Sequence, residues 1–262
     1  MDQGIPFCSL SKDRLQSLLG NARSPRLFVF DELDSTNRYA KELARGGECS
    51  PALVVANAQS AGRGRMGRQF YSPAGSGAYF SLLYPIKGEV GEALSITSAA
   101  AVAVMRAIRG LCGKQAEIKW VNDLYLNGKK ICGILAQTLL STNGGPSFLV
   151  LGIGINWHPA TFPEELSSIA GTVGVIEPLR EELIAAVYWE LLPFLENRED
   201  RSWLLEYRAH SMVLGKRIAW VQGETKRYGV ACDVDEAGGL SVLTDEGDTV
   251  VLRTGEISIR LE

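Results

Sequence analysis

The chain has 262 residues, of which 46% are hydrophobic and 22% charged, and its formal net charge is −3 at pH 7. These values are ordinary for a soluble globular protein and exclude a disordered or fibrous one. The length suits one large domain, or a large domain with a small one. The slightly acidic balance argues against a chain built mainly to bind nucleic acid.

The sequence predicts neither a membrane span nor a secretory signal. No apolar run reaches the ~18 residues that a bilayer span needs, and residues 1–10 lack a basic segment followed by an apolar core. The five cysteines are scattered and free of CxxC spacing, and only two histidines occur. This pattern favours reduced thiols in a cytoplasm over a disulfide framework or a zinc site.

Predicted helices and strands alternate through most of the chain. The helices, recognised by their spacing and closing glycines, cover 12–20, 38–47, 92–112 and 179–195. The strands, recognised as apolar runs, cover 26–31, 52–58, 78–84, 116–121, 130–140 and 147–156. The Asn127-Gly128 pair predicts a hairpin turn, and Pro193 predicts a kink in the last helix.

The pattern changes after residue 213. Residues 214–262 contain four or five short strands with turn residues at 223–224, 236–239 and 245–248, which predicts a small β-barrel. We therefore predict an α+β fold with a catalytic domain over residues 1–213 and an all-β domain over residues 214–262.

The loop at residues 62–68 (GRGRMGR) formally matches GxGxxG. The dinucleotide-binding fingerprint must open a helix, but the residues that follow, 69–73, are extended or turn-like, so we reject that interpretation. Three arginines between glycines are suited to phosphate and carboxylate oxygens, and the glycines let the loop approach a ligand and move. Taken alone, the loop is equally well a solvated basic turn or an arginine-rich nucleic-acid contact.

Further segments occur together with this loop in a fixed order. Ser35-Thr36-Asn37 and Gln59 precede it, and the segments that follow are KWVND (119–123), GKKICGIL (128–135), GIGIN (152–156) and GEISIR (255–260). This ordered set resembles the biotin protein ligases over residues 26 to 262. A single motif would be weak, whereas the full set is highly specific.

The resemblance implies a mixed sheet flanked by helices, followed by an SH3-like barrel. It implies that ATP, with Mg²⁺, activates biotin as biotinyl-5'-AMP, and that biotin is then transferred to a lysine of a biotin-carrier domain. That domain would belong to a carboxylase such as acetyl-CoA carboxylase. Only about 25 residues precede the catalytic part, so we expect the short, non-repressor type, without DNA or membrane binding. A sheet edge in the family also allows a homodimer.

The arginine and lysine side chains are expected to neutralise the two anionic reactants, biotin and ATP. By resemblance, Arg63, Gly64 and Arg65 lie along biotin and the adenylate, and Arg68 helps to hold the ATP phosphates. Lys130 contacts the biotin carboxylate and the α-phosphate, so Lys130 and Arg65 are the expected catalytic residues. The alternative for the neighbouring Lys129 is a solvated turn lysine.

Small polar groups are expected to bind the ureido ring of biotin, which needs both donors and acceptors. By resemblance these are Ser35, Thr36, Asn37 and Gln59, while Gly133 lets a strand approach the bicyclic head. The alternative for Ser35 and Thr36 is helix N-capping, which can coexist with ligand contact.

A third group is expected to bind ATP or the adenylate. It comprises Lys119 and Asn122, with Asp123 as a ligand for Mg²⁺, and Asn156 and Arg260 further along the chain. The alternatives are a surface turn for the first cluster, a strand-end amide for Asn156 and a surface arginine for Arg260.

Two residues depart from the family pattern. Val121 stands where proline is frequent, which alters local rigidity more than chemistry. Phe70 stands where tryptophan is frequent, and it retains a smaller ring for stacking on adenine. Three rival functions are a lipoate or octanoate ligase or transferase, a non-catalytic biotin-binding regulator and a nucleic-acid-binding module.

Overall fold

A computed structural model describes residues 9–86, 93–140, 147–222, 224–253 and 257–259. The described chain forms a large sheet with helices on both faces and a smaller second sheet. Its helices are α1 (Lys12–Leu19), α2 (Thr36–Arg45), α3 (Ala93–Cys112), α4 (Glu164–Ser167), α5 (Arg180–Glu196) and α6 (Trp203–Ala209).

The first seven strands build the large sheet. Their bounds are β1 (Arg26–Leu33), β2 (Ala52–Gln59), β3 (Gly77–Ile86), β4 (Glu117–Lys119), β5 (Asp123–Leu126), β6 (Lys129–Leu139) and β7 (Ser147–Asn156). The strand order is β1-β2-β3-β7-β6-β5-β4. Only β1 and β2 run parallel, so the sheet is mixed as predicted.

One face of the large sheet carries the main core. Helix α3 lies there, packed against α5 and α6. It is long and apolar enough to cross a membrane, but 72% of its apolar window is buried within the protein. Burial on nearly all sides explains its apolar sequence, as expected for the central helix of a core. Helix α2 covers part of the opposite face, over a smaller apolar cluster that includes Ala40, Val54 and Leu83.

The remaining strands form a five-stranded antiparallel sheet. They are β8 (Arg217–Gln222), β9 (Thr225–Val234), β10 (Leu240–Thr244), β11 (Thr249–Leu252) and β12 (Ile257–Ile259), in the order β11-β10-β9-β8-β12. Its buried residues, among them Trp220, Ala231 and Leu240, belong to the same apolar cluster as α3 and α5. The small sheet therefore extends the main core instead of enclosing a separate one.

The structure also differs from the sequence-based elements. The strand predicted over 116–121 is only Glu117–Lys119, because the chain turns at residues 120–122 and returns as β5. The short helices α4 and α6 were not predicted. Helix α5 continues through Pro193 to Glu196. The predicted hairpin is confirmed, with Asn127 and Gly128 both at positive φ (52° and 73°) between β5 and β6.

Candidate active site

A cavity of about 370 Å³ opens on the sheet face that α2 partly covers. This volume lies within the usual range for small-molecule sites. Every predicted site residue in the described part of the chain lines it. These residues lie at the start of α2, on the loop at 62–70, in the turn between β4 and β5, and on β2, β4, β5, β6 and β7. Arg260 lies outside the described residues. The fold therefore brings together residues that are up to 121 positions apart (from Ser35 to Asn156).

The N-terminus of α2 supplies one polar wall. The backbone N–H of Thr36 donates to Gln59 Oε1 (2.9 Å), and its hydroxyl donates to the same oxygen (3.2 Å). Gln59 Nε2 donates in turn to Ser72 Oγ (3.0 Å). Ser35 is the residue that caps α2, yet its side chain makes no capping hydrogen bond. Helix capping by its side chain therefore does not explain why a serine occupies position 35.

The side chain of Asn37 is held by several hydrogen bonds, one of them from Ser81 of β3. The fully buried Ser81 hydroxyl lies 2.7 Å from Thr36 Oγ1 and 2.5 Å from Asn37 Oδ1. The amide nitrogen of Asn37 lies within 3.4 Å of the carbonyl of Leu135. A Cβ on Gly152 would lie 2.0 Å from Asn37 Oδ1, so only glycine leaves room for this amide. The position of Asn37 is thus set by the protein's own buried groups.

The loop at residues 62–70 folds back as a short irregular hairpin. Arg63 pairs with Gln69 as an antiparallel bridge, and the N–H of Gly64 donates to the carbonyl of Arg68 (2.7 Å). A 3₁₀ turn over Arg65–Gly67 forms its tip, and the Met66 side chain there is 73% exposed. No α-helix follows in this described stretch, which agrees with rejecting the dinucleotide fingerprint.

Phe70 returns the loop to the floor of the cavity. That floor consists of Gly133 on β6 and Gly154 on β7, which are directly paired across the sheet. A Cβ on Gly154 would lie 2.6 Å from the Phe70 ring, and one on Gly133 would lie 3.3 Å from it. Two facing glycines therefore let a flat group lie directly on the strand backbones, and the Phe70 ring is such a group.

Lys130 projects from β6 beside Asp123 of β5. Its Nζ lies 2.7 Å from Asp123 Oδ1, and both side chains are partly buried. The backbone of Lys130 is held by Ile169 and Gly171, which bond its N–H and its carbonyl (2.9 and 2.8 Å). Lys129, in contrast, points outward, and its Nζ donates to the Ser167 carbonyl (2.8 Å). The two neighbouring lysines thus have different surroundings.

Asn122 connects the loop to the sheet. Its Oδ1 accepts a hydrogen bond from Arg65 Nη1 (3.0 Å), and its Nδ2 donates to the Ile134 carbonyl (2.9 Å). Lys119 Nζ lies 5.6 Å from the centre of the Tyr125 ring. Burial, and secondarily the charge of Asp123, raises the pKa of Tyr125, so this ring stays neutral beside the carboxylate.

Asn156 lines the cavity but also has a structural partner. Its Nδ2 donates to the Gly171 carbonyl (2.9 Å), as expected for a strand-end amide. The backbone carbonyl of Asn156 also accepts from the N–H of Val173 (2.8 Å). Asn156 therefore connects β7 to the segment that follows α4 and passes Lys130.

The described residues contain no group of three or more His, Cys, Asp or Glu side chains that could hold a metal ion. Asp123 is the nearest carboxylate to the cations, and it is already paired with Lys130. These residues do not form a metal site made by protein ligands alone. The Mg²⁺ role predicted for Asp123 stays a prediction.

Sequence reasoning missed one wall of the cavity. Phe162, Leu166, Ile169 and Ala170 line it from the segment around α4, and Ile257 lines it from β12. Trp120 also lines it. This apolar wall lacked a motif, and the hydrophobic spacing of 162–170 is too short and irregular to predict its position.

Comparisons with known proteins place the chain and its fold in one family. The model of the Biotin/lipoate A/B protein ligase family matches residues 29–156. The biotin–[acetyl-CoA-carboxylase] ligase of Paracoccus denitrificans is 31% identical over 231 residues, covering 83% of this chain and 94% of that protein. The bifunctional ligase/repressor BirA of Bacillus subtilis is 32% identical, covering 84% and 70%.

A solved structure agrees with the sequence comparisons. The biotin protein ligase from Aquifex aeolicus in complex with biotin and ATP has a TM-score of 0.76 and 28% identity, covering 90% of this chain and 99% of that one. The chain therefore belongs to the Biotin/lipoate A/B protein ligase family, among the biotin protein ligases.

Proposed function

We propose that the chain uses ATP to activate biotin as biotinyl-5'-AMP and then transfers the biotinyl group to a lysine of another protein. The observation that carries this proposal is the division of one cavity into two ends. One end offers neutral donors and acceptors on Thr36, Asn37 and Gln59, and the other offers Arg65 and Lys130. Biotin has a neutral ureido ring at one end and a carboxylate at the other.

The spacing of the strands supports this pairing of ends. Gln59 lies on β2 and Lys130 on β6, which are three strand spacings apart in the sheet, or roughly 14 Å. The Phe70 ring lies on the floor formed by Gly133 and Gly154. A ligand that reaches both ends therefore passes over this ring or displaces it, and Gly133 is the proposed strand contact of the biotin head.

The first half-reaction joins two anions. An oxygen of the biotin carboxylate attacks the α-phosphorus of ATP, the bond to pyrophosphate breaks, and biotinyl-AMP and pyrophosphate result. Lys130 is proposed to hold the carboxylate and the α-phosphate together, because a compact ammonium stabilises charge that develops at one centre. Arg63 and Arg65 would lie along biotin and the adenylate, with Arg68 on the outgoing phosphates.

The nucleotide is proposed to lie beside the apolar wall. Phe162, Leu166 and Ile169 line the cavity, the Ile169 carbonyl is bonded to the Lys130 N–H, and their apolar side chains suit the adenine ring. Lys119 and Asn122 would assist the phosphates. Mg²⁺ would enter with ATP and neutralise phosphate charge, with Asp123 as a carboxylate within reach. Asn156 and Arg260 remain proposed contacts of the adenylate.

The loop is proposed to protect the intermediate. A mixed anhydride hydrolyses if water reaches it, so the site must stay closed until the acceptor arrives. The hydrogen bond from Arg65 to Asn122 links the loop tip to the sheet across the cavity. Phe70 anchors the returning arm of the loop on the floor.

The second half-reaction consumes the intermediate. The neutral amine of the acceptor lysine attacks the acyl carbon, AMP leaves, and the amine loses a proton, for which Asp123 is the candidate base. The acceptor is proposed to be the biotin-carrier domain of a carboxylase such as acetyl-CoA carboxylase, in the cytoplasm.

We further propose two domains, at residues 1–213 and 214–262, the second of which closes as an SH3-like barrel. We also propose a homodimer formed through a sheet edge.

The test is exchange of labelled pyrophosphate into ATP, with biotin, lipoate and octanoate compared in parallel and no acceptor present. We expect exchange with biotin alone. Exchange with lipoate or octanoate instead would assign the chain to the other substrate class of its family. Absence of exchange with all three acids, together with biotin binding in calorimetry, would indicate a binding protein without ligase activity.

A further inference from the structure

The turn at residues 120–123 carries two proposed site residues, Asn122 and Asp123. It joins β4 to β5, and the short β4 alone gives it little support. Ile134 of β6 bonds Asn122 directly, since its carbonyl accepts from Asn122 Nδ2 (2.9 Å) and its N–H donates to the Asn122 backbone carbonyl (3.0 Å). Two further anchors, from the small C-terminal sheet and from helix α6, hold the residues before Asn122.

The first anchor is the hydrogen bond from Trp120 to the C-terminal sheet. The indole Nε1 donates to the carbonyl of Gly238 (2.9 Å), and Trp120 is 4% exposed. Gly238 lies in the turn between β9 and β10 at φ +84°, a conformation that favours glycine. A Cβ there would lie 3.0 Å from Ser98 Oγ and 3.1 Å from the Leu94 carbonyl on α3.

The turn that presents this carbonyl is itself braced. Asp235 Oδ1 accepts from the N–H groups of Ala237 (3.0 Å) and Gly239 (2.7 Å), and Asp235 Oδ2 accepts from Arg253 Nη2 (2.9 Å). The N–H of Gly238 donates to the Asp235 carbonyl (2.9 Å). The Gly238 carbonyl therefore has a defined position toward which Trp120 can point.

The second anchor is Tyr207 of α6. Its hydroxyl lies 3.4 Å from the Val121 carbonyl, and the residue is fully buried. Burial raises the pKa of Tyr207 far above its usual value, so the hydroxyl keeps its proton and remains a donor. The strand before the turn is also held, because the N–H of Ile118 donates to the His210 carbonyl (2.8 Å) and its carbonyl accepts from Met212 (3.0 Å).

We propose that Trp120 is a positioning residue through which the C-terminal sheet fixes Asn122, and hence the point where Arg65 closes the loop. The inference rests on the proposed function, since it assigns the loop to retention of the adenylate. Tyr207 supports the same turn from α6. Loss of the Trp120 hydrogen bond lets Asn122 shift, which weakens loop closure without touching the polar wall at α2.

The test compares two tryptophan variants. Trp120→Phe keeps an aromatic ring but removes the N–H that bonds Gly238. Trp220→Phe is the matched control, because Trp220 is equally buried and lies on β8 of the small sheet that Trp120 contacts, and its Nε1 has no hydrogen-bond partner among the described residues. The readouts are the rate at which biotinyl-AMP leaves the enzyme, the KM for ATP, and biotin affinity by calorimetry.

We expect biotinyl-AMP to leave Trp120→Phe about 3- to 10-fold faster, which corresponds to the loss of one net hydrogen bond. Biotin affinity should be unchanged, and Trp220→Phe should match the wild type. Combining Trp120→Phe with Arg65→Gly should add little to the effect of Arg65→Gly alone, because both act through Asn122. Purely structural damage would not produce this non-additivity.

Equal release rates in Trp120→Phe, Trp220→Phe and the wild type, or fully additive effects with Arg65→Gly, would overturn the inference. If Trp120→Phe does not fold, Gly238→Ala and Tyr207→Phe carry the same test, since Gly238→Ala disturbs the first anchor and Tyr207→Phe removes the second. Failure of the proposed function is distinguishable, since the wild type itself would then show no biotin-dependent pyrophosphate exchange.

Discussion

The two ends of the cavity are built differently. At the α2 end, Thr36 bonds Gln59 directly, and the fully buried Ser81 hydroxyl bonds both Thr36 and Asn37. At the other end, Arg65 reaches the sheet through its hydrogen bond to Asn122 from a loop whose tip is exposed. Buried and mutually bonded groups are held rigidly, whereas exposed loops with few anchors open at low free-energy cost.

This difference suggests a division of labour. A preformed end can recognise a neutral ring without a cost of ordering. A loop that closes after both substrates have entered can neutralise charge and exclude water only when the reaction is ready. Recognition of biotin and protection of the adenylate should therefore respond to different substitutions.

The largest effect is expected from Lys130→Ala. If the ammonium holds the carboxylate and the α-phosphate as proposed, removing it deprives the developing charge of a compact cation, so biotin-dependent pyrophosphate exchange should fall roughly 100- to 1,000-fold. Lys129→Ala is the matched control, since its Nζ bonds the Ser167 carbonyl at the exposed surface, away from Asp123. Exchange in the control should stay within about 2-fold. Similar rates in the two variants would remove Lys130 from the reacting centre.

Gly152→Ala tests the preformed end. A methyl group placed 2.0 Å from Asn37 Oδ1 must displace that amide, so biotin affinity should fall by about 10-fold or more, with a loss of about 1–3 kcal/mol in the free energy of unfolding. Calorimetry and thermal unfolding measure the two quantities. Gly110→Ala is the control.

Gly110 lies in α3 with nothing within 4 Å of an added Cβ. That substitution should leave biotin affinity unchanged and stabilise the fold by about 0.4–1 kcal/mol. Unchanged biotin affinity in Gly152→Ala would mean that Asn37 does not shape the biotin site.

Arg65→Gly tests the loop. Losing the hydrogen bond to Asn122 should let the adenylate escape roughly 10-fold faster, seen as biotin labelling of unrelated lysines nearby. Biotin affinity should change far less than in Gly152→Ala. Met66→Gly adds a glycine to the same turn without removing a guanidinium, and it should retain the adenylate. Equal leakage from both variants would attribute retention to loop stiffness alone.

The smallest effect concerns Cys132 on β6, the strand that also carries Lys130. Cys132, two residues after Lys130, is fully buried, and burial, together with the charge of Asp123, raises the pKa of its thiol. At pH 8 it should resist alkylation while the exposed Cys49 and Cys232 react. Mass spectrometry of the labelled protein measures this. Rapid labelling of Cys132 would show that the strands, and not only the loop, open at this end.

Much of the fold followed from local patterns. The buried strands at 52–58 and 147–156 and the apolar helix at 92–112 were predicted nearly to their observed bounds, because long apolar runs have few alternatives. The turn at 120–122 was not predicted. Its position depends on Trp120 and Tyr207 reaching partners far away in sequence, and no local pattern carries that information.

The site shows the same limit. Arg65, Lys130 and Gly133 were predicted from the ordered motifs that resemble the biotin protein ligases, because the full set of motifs is far more specific than any one of them. Ser81 and Ile169 gave no such signal, because a serine in a strand and an isoleucine in a loop are ordinary in any protein. Only tertiary structure brings Ser81 beneath Asn37 and Ile169 beside Lys130.

Hydrogen–deuterium exchange of the ligand-free protein, repeated with biotin and then with biotinyl-AMP, tests the division of the cavity most directly. We expect slow exchange in α2, β2 and β3 under all three conditions. Residues 62–70 should exchange rapidly without ligand, remain so with biotin, and become protected with biotinyl-AMP. Equal protection of both regions in the ligand-free protein, or ordering of the α2 end only when biotin binds, would contradict the account.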